Sequence, residues 1–598
     1  MKKVHAVVFA FLMMTMSLAG CLSGDAGEDG SEGPAGADGK DGVDGQDGAD
    51  GLDGANGQDG ADGLDGANGQ DGADGSSSPD TMLTSVSSPN ISMGCTEGGR
   101  IISNGLDNGD GEGTAQNGIL EEGEIDYRTT YCSKYELSLI DEINNMNISI
   151  VNSRQHYIVD DAIYFVAYDD SGIYGAELWV YETSTGKVWM VEDINYGDNV
   201  WSTSPIIIFV DGDTIYMQAD DGVNGKELWA FNKFTRNLWL VGDINSGLGS
   251  SNPGSYGMEM IVGDTFYFVA DDGISGRELW AVQTGEEENE PWRVEDIRVG
   301  TGHSSPGFYW SHLINDKIYF TAEDGNTGQE LWVHDTSNNI TSQLADINPG
   351  ASDSINTDCR NSIVVDNQIY FCAYNGTSYE IWVHDTSNST TWQLTNICEN
   401  SCNSRAGKYM MELVGNSIYF SAVKNQTTVD LWVGYEDSEL WAHNISNSTT
   451  WQVADIHTSN ENEGSYPGQY LSLMVGDTIY FSAQDGLTGS ELWAHDTSNH
   501  STWQVADINN GIYGGIGYGQ EIVNDGRIYF VADDGISGRE IWVHDTTNHS
   551  TWQLVDLRGS SSGISSNYYN LLINGDDLYF IGSGDLYVLK IKHTITYD

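Results

Sequence analysis

The sequence predicts an all-β fold for residues 133–598. One phrase, Ile-Tyr-Phe-x-Ala-x-Asp-Gly-x-x-Gly-x-Glu-Leu-Trp, recurs with a period of about 50 residues. Within each repeat apolar and polar residues alternate, as they do on β-strands, and Gly-Asp or Asp-Gly pairs separate the strand-like segments. The tryptophan that ends the phrase stands at Trp179, Trp229, Trp280, Trp332, Trp382, Trp432, Trp493 and Trp542.

Each repeat is predicted to form four short strands. Two-residue Gly-Asp turns favour tight hairpins, so neighbouring strands should pair antiparallel. Four such strands repeated every ~40 to 50 residues are typical of β-propeller blades. In residues 471–508, for example, the predicted strands are 471–475, 478–483, 491–495 and 502–508.

The number of blades and the closure of the ring are also predicted from the pattern. A last hairpin over Asn570–Phe580 brings the hairpins to nine, and a partial duplication at 432–441 leaves eight blades as the alternative. An orphan strand at Tyr135–Ile143 matches the fourth strand of a repeat, whereas the last repeat ends after Asp585–Val588 without one. We therefore expect a β-propeller of eight to nine blades, closed by this N-terminal strand.

The repeated phrase resembles the ELWxxDGT repeat family over residues 133–598. Several units read Glu-Leu-Trp-Val-His-Asp-Thr-Ser-Asn, so they depart from the family pattern where DGT becomes Asp-Thr-Ser-Asn. The resemblance implies a repetitive extracellular β-structure with no established reaction. It identifies no catalytic residue.

Residues 1–20 resemble a lipoprotein signal peptide. Lys2 and Lys3 precede an apolar run that ends at Leu18-Ala19-Gly20-Cys21. The run is too short for a membrane span of ~20 residues, and a small-residue cleavage site follows it. The resemblance implies that Cys21 is lipidated and tethers the chain to the extracellular side of the cytoplasmic membrane. A plain secretory signal with an incidental cysteine is the alternative.

A low-complexity stalk is predicted over residues 21–78. Glycine occupies every third position from Gly24 to Gly75, the Gly-x-y period of collagen-like tracts. Only Pro34 supplies a proline ring, and aspartate fills most polar positions, with Lys40 as the single cation. A homotrimeric triple helix is one reading, and a monomeric spacer extended by charge repulsion is the other.

Charge excludes one class of partner. The chain has 24 Lys and Arg against 89 Asp and Glu, a formal net charge of −65. A phosphate backbone needs a basic face, so we expect no nucleic-acid partner. Such an acidic protein suits a saline or cation-rich exterior.

Six cysteines remain besides Cys21, and an even number in an exported protein suggests disulfides. Cys95 and Cys132 are distant in sequence from the others and are expected to pair. For the other four, the predicted pairs are Cys359 with Cys372 and Cys398 with Cys402.

Residues 79–132 are predicted to form a small disulfide-closed module. Its middle resembles an EF-hand loop, which would make Ca²⁺ the one cofactor suggested by the sequence. The segment from Asp107 to Asn117 is longer than that loop allows, so an acidic turn without an ion is the competing reading. The candidate metal ligands are Asp107, Asp110, Asn117 and Glu124.

Other repeated residues are interpreted as structural. The tryptophans should pack neighbouring blades, and His334, His384, His495 and His544, which share one slot, are expected to be solvated. The Asp-Gly-x-x-Gly loops are interpreted as turns in which glycine adopts a positive φ and aspartate bonds nearby backbone, and calcium binding is the alternative. Candidate glycosylation sequons in the turns between third and fourth strands are Asn339, Asn388, Asn444, Asn447, Asn499 and Asn548.

The sequence indicates display and recognition more than catalysis, because it holds no nucleophile–base pair, HExxH or phosphate loop. The long loops between a fourth strand and the next first strand are rich in Ser, Gly and Tyr, which suits adaptable recognition of glycans or surface proteins. One alternative is a propeller hydrolase or lyase with carboxylates at the central mouth. Another is a purely structural envelope component.

Overall fold

The computed structural model describes the chain in two compact units. The larger comprises described residues of 89–99 and 131–595, and the smaller comprises those before residue 89, 100–130 and 596–597. The predicted signal peptide, Cys21 and the predicted stalk lie outside the described residues. These are 81–89, 93, 95, 98–140, 143, 148–150, 156–169, 175–195, 205–255, 257–285, 289–397, 403–424, 437–458, 463–517, 521–556, 571–582 and 585–597.

The fold is all-β, as predicted. Thirty-nine strands are accompanied by two 3-10 helices, Asp110–Glu112 and Glu122–Glu124, within the described segments. No helix among these residues is both long and apolar enough to cross a bilayer. The strands are β1 (Thr81–Ser87), β2 (Gly99–Asp107), β3 (Ile125–Leu139), β4 (Ile148–Ile150), β5 (His156–Val159), β6 (Ala162–Asp169), β7 (Ala176–Glu182), β8 (Lys187–Met190), β9 (Ile206–Asp211), β10 (Thr214–Asp220), β11 (Lys226–Asn232), β12 (Asn237–Gly242), β13 (Glu259–Val262), β14 (Thr265–Asp271), β15 (Arg277–Gln283), β16 (Trp292–Glu295), β17 (Ser311–Ile314), β18 (Lys317–Glu323), β19 (Gln329–Asp335), β20 (Ile340–Ala345), β21 (Ser362–Val365), β22 (Gln368–Tyr374), β23 (Tyr379–Asp385), β24 (Thr390–Gln393), β25 (Met411–Val414), β26 (Ser417–Val423), β27 (Ser438–Asn444), β28 (Thr449–Ala454), β29 (Ser472–Val475), β30 (Thr478–Gln484), β31 (Ser490–Asp496), β32 (Ser501–Ala506), β33 (Ile522–Asn524), β34 (Arg527–Asp533), β35 (Arg539–Asp545), β36 (Ser550–Gln553), β37 (Leu572–Asn574), β38 (Asp577–Gly582) and β39 (Asp585–Tyr597).

Nine antiparallel sheets follow one another along the larger unit. We number them 1 to 9: sheet 1 is β4–β8, sheets 2 to 8 take four strands each from β9 to β36, and sheet 9 contains β37–β39 with the later part of β3. In sheet 7 the strands β29 to β32 match the predicted segments, and Gly476, at φ 60°, supplies the left-handed conformation that its hairpin turn requires. The orphan N-terminal strand pairs with β39, as its sequence suggested.

The core consists of clusters that each join two neighbouring sheets. Phe371 of sheet 5 and Leu331 of sheet 4, both fully buried, belong to one such cluster. Another contains Phe165 of sheet 1 together with Ile581 of sheet 9, so the first and last sheets of the chain pack against each other. Burial of these aromatic and aliphatic side chains, at about 1.5–3 kcal/mol each, supplies the main stabilising free energy of the repeats.

The position of the sixth repeat corrects the sequence alignment. We predicted its tryptophan at Trp432, with Trp441 as an echo. In the structure Trp441 occupies the third strand of sheet 6 and is buried, whereas Trp432 lies outside the described residues. The sixth repeat therefore carries an insertion between its second strand, β26, and its third strand, β27.

The repeated histidines are buried and not solvated, which is a second correction. His334, His384, His495 and His544 are at most 1% exposed. Each stands two residues beyond the tryptophan on the third strand, which neighbouring sheets cover on both faces, so its ring packs on a tyrosine such as Tyr267 of the preceding sheet. Burial lowers the pKa of His495 and His544 to about 4.

Two predicted disulfides are confirmed. Cys95 pairs with Cys132 at a Cα–Cα distance of 5.0 Å, and Cys359 pairs with Cys372 at 4.9 Å. The predicted pair of Cys398 and Cys402 lies outside the described residues.

Truncation of a core phenylalanine should be costly. Phe371→Ala removes a ring that is 0% exposed, so we expect the free energy of unfolding to fall by about 3–5 kcal/mol in denaturant titrations. Phe234 is 85% exposed, and Phe234→Ala should stay within about 0.5 kcal/mol of the parent protein. Similar losses in the two variants would contradict the assigned core.

Candidate functional site

A buried glutamate sits at the start of the third strand in eight sheets. These residues are the glutamates of the Glu-Leu-Trp phrase or its variants, and each is at most 1% exposed. Unpaired buried carboxylates are strongly unfavourable, so hydrogen-bond partners must compensate for their desolvation. The eight residues are Glu177, Glu227, Glu278, Glu330, Glu380, Glu439, Glu491 and Glu540.

The partners are the two legs of the long loop that leaves the same sheet. In sheet 6, Glu439 accepts hydrogen bonds from the N–H of Ile456 at 2.8 Å on the first leg, and from the N–H and hydroxyl of Ser465 at 3.1 and 2.7 Å on the second. In sheet 2, Glu227 receives the equivalent bonds from Ile244 and Ser251. In sheets 2, 3, 4, 6 and 7 one side chain therefore holds both ends of its loop, and we call these five residues, Glu227, Glu278, Glu330, Glu439 and Glu491, the loop-anchoring glutamates.

The sequence reasoning grouped this glutamate with the packing phrase and missed its role. Two signals were available. The glutamate lies two residues before the buried tryptophan, hence on the same face of the strand, and in most repeats a serine follows about 25 residues later.

Burial changes the acidity of these carboxyl groups. It raises the pKa of Glu330 to about 8 and those of Glu278, Glu439 and Glu491 to about 7, although the hydrogen bonds from the loops act in the opposite direction. In the neutral form the acid hydrogen can be donated to the serine hydroxyl, which both donates and accepts. The anchor therefore works in either protonation state.

A second set of loops lies at the same end of the sheets, between the second and third strands. In the loop of sheet 3, Asp272 Oδ1 accepts the N–H groups of Ile274 and Ser275 at 2.9 and 2.7 Å. Burial raises the pKa of Asp272, but these donors outweigh it and the net shift is downward. The carboxylate considered for calcium thus closes its own turn.

Exposed apolar side chains stand at the tips of both sets of loops. Four occupy the same position after Asp-Gly, and four lie on long loops. Single exposed aliphatic residues are ordinary, whereas these eight share one end of sheets 2, 3, 7 and 8. We call the following residues, which are 66–86% exposed, the loop-tip set: Val223, Ile274, Leu487, Ile536, Leu248, Val299, Ile512 and Tyr513.

Neighbouring loops are closely packed, which holds the tips in place. A Cβ on Gly273 would lie 2.7 Å from Asn245 Oδ1, the residue that begins the long loop of the preceding sheet. Gly535 has the same relation to Asn509, at 2.9 Å. Because these approaches admit no side chain, the glycines allow each short loop to rest on its neighbour.

The first strands carry another set of polar residues. Ser472 donates to Glu412 Oε1 at 2.8 Å, and His312 and Ser362 are joined at 2.8 Å, so the first strands of different sheets converge. Burial raises the pKa of Glu259 to about 8. It also raises that of Glu521 to about 7, with a smaller contribution from the charge of Glu412. Glu259, Glu412 and Glu521 therefore place carboxyl groups on or next to the first strands of three different sheets.

The candidate calcium ligands of the smaller unit accept hydrogen bonds from nearby protein groups, mostly main-chain N–H groups. Asp107 accepts the N–H groups of Asn117 and Gly118 at 3.1 and 2.8 Å, and Glu124 accepts that of Gly109 at 2.7 Å. Asp110 is bonded to the Asn108 amide, and Asn117 Oδ1 accepts the Ile119 N–H. Within the described segments no three His, Cys, Asp or Glu residues are grouped as a metal site.

The candidate glycosylation sites lie on the turns at the opposite end of the sheets. Asn388 and Asn447 are exposed, and each accepts a hydrogen bond from the threonine hydroxyl two residues later, within the sequon. Asn339, Asn499 and Asn548 are also exposed, whereas Asn444 is half-buried and donates to Ser417.

Comparison with known proteins identifies one segment of the chain. The collagen triple helix repeat family matches residues 22–81 in 20 copies, which confirms the collagen-like tract. No curated protein matches the chain.

Several solved structures are distantly similar. BamB from Moraxella catarrhalis is 12% identical with a TM-score of 0.32, covering 76% of this chain and 100% of that protein. A puromycin-hydrolyzing peptidase from Mycobacterium tuberculosis is 8% identical with a TM-score of 0.35, and the match covers 75% of this chain and 60% of that protein. An oligogalacturonate lyase in complex with manganese is 8% identical with a TM-score of 0.30, and the match covers 78% of this chain and 96% of that protein. Similarities this distant support no inference about activity.

Loss of one loop-anchoring glutamate should destabilise its sheet. Glu330→Ala leaves the N–H groups of Ile347 and Ser354 without their acceptor, so we expect a loss of about 3–5 kcal/mol in the free energy of unfolding. The matched control is Glu295→Ala, an exposed glutamate on β16, which should change stability by about 0.5 kcal/mol or less. Equal losses in denaturant titrations would contradict the anchoring role.

Stability should fall as pH rises through neutrality. In the unfolded chain a glutamate loses its proton near pH 4.5, whereas the burial of Glu330 in the folded protein raises its pKa to about 8. The stabilisation is therefore fully present below pH 4.5, and it is lost as the pH rises from 4.5 to about 8. Each such group contributes a slope of about 1.4 kcal/mol per pH unit. Thermal unfolding between pH 4 and 9 measures it, and Glu330→Gln should show a smaller slope. Identical slopes would contradict the proton uptake.

Proposed function

We propose that this chain is a lipid-anchored cell-surface protein that displays a non-catalytic β-propeller for recognition of a surface protein or glycan. In this reading Cys21 carries the lipid, and the collagen-like tract holds the propeller away from the membrane. The Gly-x-y pattern of the tract is compatible with both a monomeric spacer and a homotrimer. Support comes from the order of the segments: signal-like start, Gly-x-y tract, then a large β-sheet unit.

We further infer that the propeller is a closed ring of nine blades. The support is that each core cluster joins consecutive sheets and that the cluster containing Phe165 and Ile581 joins the last sheet to the first. Pairing of β3 with β39 then removes the exposed strand edges at both chain ends.

The observation that carries the recognition hypothesis is the loop-tip set. Eight apolar side chains are exposed at one end of the sheets. Four are on long loops held by Glu227, Glu278 and Glu491, and four are on short loops closed by an aspartate. Ordered loops lose little conformational entropy on binding, so such a surface is preorganised for a partner. Aliphatic tips favour a protein surface over a glycan as that partner.

A second candidate is a hydrolase or lyase that acts on polysaccharide. The raised pKa values of Glu259 and Glu521 favour it, because a protonated carboxyl group near neutral pH can act as a general acid. Glu412, bonded to Ser472, would then be the ionised partner.

Polar substitution of the loop tips tests the recognition hypothesis. Sheet 4 has Asn326 where sheets 3 and 8 have Ile274 and Ile536, so Ile274→Asn with Ile536→Asn adopts a residue that this turn already accepts. We expect binding of the full protein to arrayed envelope glycans and cell-surface proteins to weaken at least about tenfold.

The control lies on the opposite turn face. Phe234→Asn replaces a side chain that is 85% exposed there and should leave binding unchanged. Equal loss in both variants would contradict recognition by the loop tips. Polysaccharide turnover that Glu259→Gln abolishes would instead establish the second candidate.

A further inference from the structure

Between sheets 1 and 2, an arginine fills the outer crevice. The guanidinium carbon of Arg236 lies 4.3 Å from the ring centroid of Trp189, and its Nη2 lies 3.4 Å from Glu182 Oε1. In the same crevice, Lys233 pairs with Asp160 at 2.6 Å and Asp213 at 3.4 Å. Two cations of one sheet thus neutralise acids while one covers the tryptophan of the sheet before it.

The equivalent crevice between sheets 6 and 7 keeps the aromatic ring but loses both cations. Strand pairing places Trp451 opposite Ala442, as Trp189 is opposite Val180, so the two tryptophans are equivalent. His500 replaces Arg236, with a φ of 61° against 60°, and Thr497 replaces Lys233.

Smaller side chains leave an open cavity at this position. It has a volume of about 520 Å³ and is lined by Trp451, Tyr419, Asn444, Asp477 and His500 among others. Asp477 corresponds to Asp213 and is exposed, but the lysine that pairs with Asp213 has no counterpart here. Asn444 and Gly415 stand where sheet 1 has Glu182 and Asp160, so two acids are lost with the two cations. The crevice therefore retains a π-face and one carboxylate, that of Asp477, which has no internal cation within the part of the chain that the structure describes.

We propose that the crevice between sheets 6 and 7 binds a guanidinium group over the Trp451 ring, with Asp477 as its counter-ion. Between sheets 1 and 2 the chain shows a guanidinium over the equivalent ring, that of Trp189, with Glu182 beside it. Asn444 replaces Glu182 in the crevice between sheets 6 and 7, so Asp477, the counterpart of Asp213, supplies the charge there. A cation over an indole face is attracted by the ring quadrupole, and a nearby carboxylate adds charge pairing.

Charge selects the class of ligand. Among the described residues no lysine or arginine lines the cavity, and the chain has a formal net charge of −65, so anions are repelled and cations concentrated. The guanidinium can be that of a free small molecule or of an arginine side chain on a peptide. The site is at the turn end of the sheets and does not depend on the loop-tip hypothesis.

Titration of the full protein with two guanidinium probes tests the proposal. Agmatine represents a small molecule, and acetyl-Gly-Arg-Gly amide represents an arginine side chain; the tighter ligand identifies the source. We expect dissociation constants of about 1 mM by calorimetry or saturation-transfer NMR. The peptide with uncharged citrulline in place of arginine should bind at least about tenfold more weakly. Absence of binding, or equal binding of the citrulline peptide, would overturn the proposal.

Two variants assign binding to this crevice. Trp451→Ala should weaken binding at least about fivefold, and Trp189→Ala, whose ring is already covered by Arg236, should not. Because the ring of Trp451 also supports packing, His500→Arg is the second test. It supplies an internal guanidinium on a turn that accepts arginine at position 236, and it should abolish binding while leaving thermal stability unchanged.

The converse variant opens the filled crevice. Lys233→Thr with Arg236→His gives sheet 2 the residues found in sheet 7, so the number of bound guanidinium groups should rise by one. Unchanged binding in His500→Arg, or unchanged stoichiometry in this double variant, would overturn the assignment.

Discussion

The contact on which the recognition surface depends is the bond between a buried glutamate and the loop leaving its own sheet. Every repeat must return from its outer fourth strand to the inner first strand of the next sheet, and this connection exposes main-chain N–H groups that no sheet partner satisfies. The carboxylate accepts hydrogen bonds from N–H groups on both legs of the loop, as Glu439 does from Ile456 and Ser465. Hydrogen bonds to a charged acceptor contribute about 1.5–3 kcal/mol each, which offsets part of the desolvation of the acid, and the pKa of Glu439 stays raised, at about 7.

This anchor separates the constant part of each repeat from the variable part. Glutamate, tryptophan and the apolar second strand recur because the neighbouring sheets cover them. The tips of the short loops at the same end touch mainly solvent, so Val223, Ile274 and Asn326 occupy one equivalent position without disturbing the turn that the preceding aspartate closes. A repeat fold can therefore diversify its surface while its core stays the same.

The same separation explains the crevices at the outer edge. Strand pairing fixes the position of Trp189 and Trp451, whereas the turn residue facing each ring is free to vary from Arg236 to His500. In a protein with a formal net charge of −65, internal cations such as Arg236 reduce the repulsion between acidic side chains. Where they are absent, the aromatic ring and acid remain available to a ligand.

The sequence by itself determined the all-β repeats, their four-strand hairpin pattern, the collagen-like tract and the pairing of the N-terminal strand with β39, because these depend on local turn chemistry, period and alternation. It also predicted both disulfides within the described residues. Only the tertiary structure decided that His334 is buried and that Trp441 belongs to the sixth repeat. It also decided that Glu330 anchors a loop, since periodicity tells which face a residue takes but not what covers that face. Those contacts join groups from strands and loops that meet only when whole sheets pack.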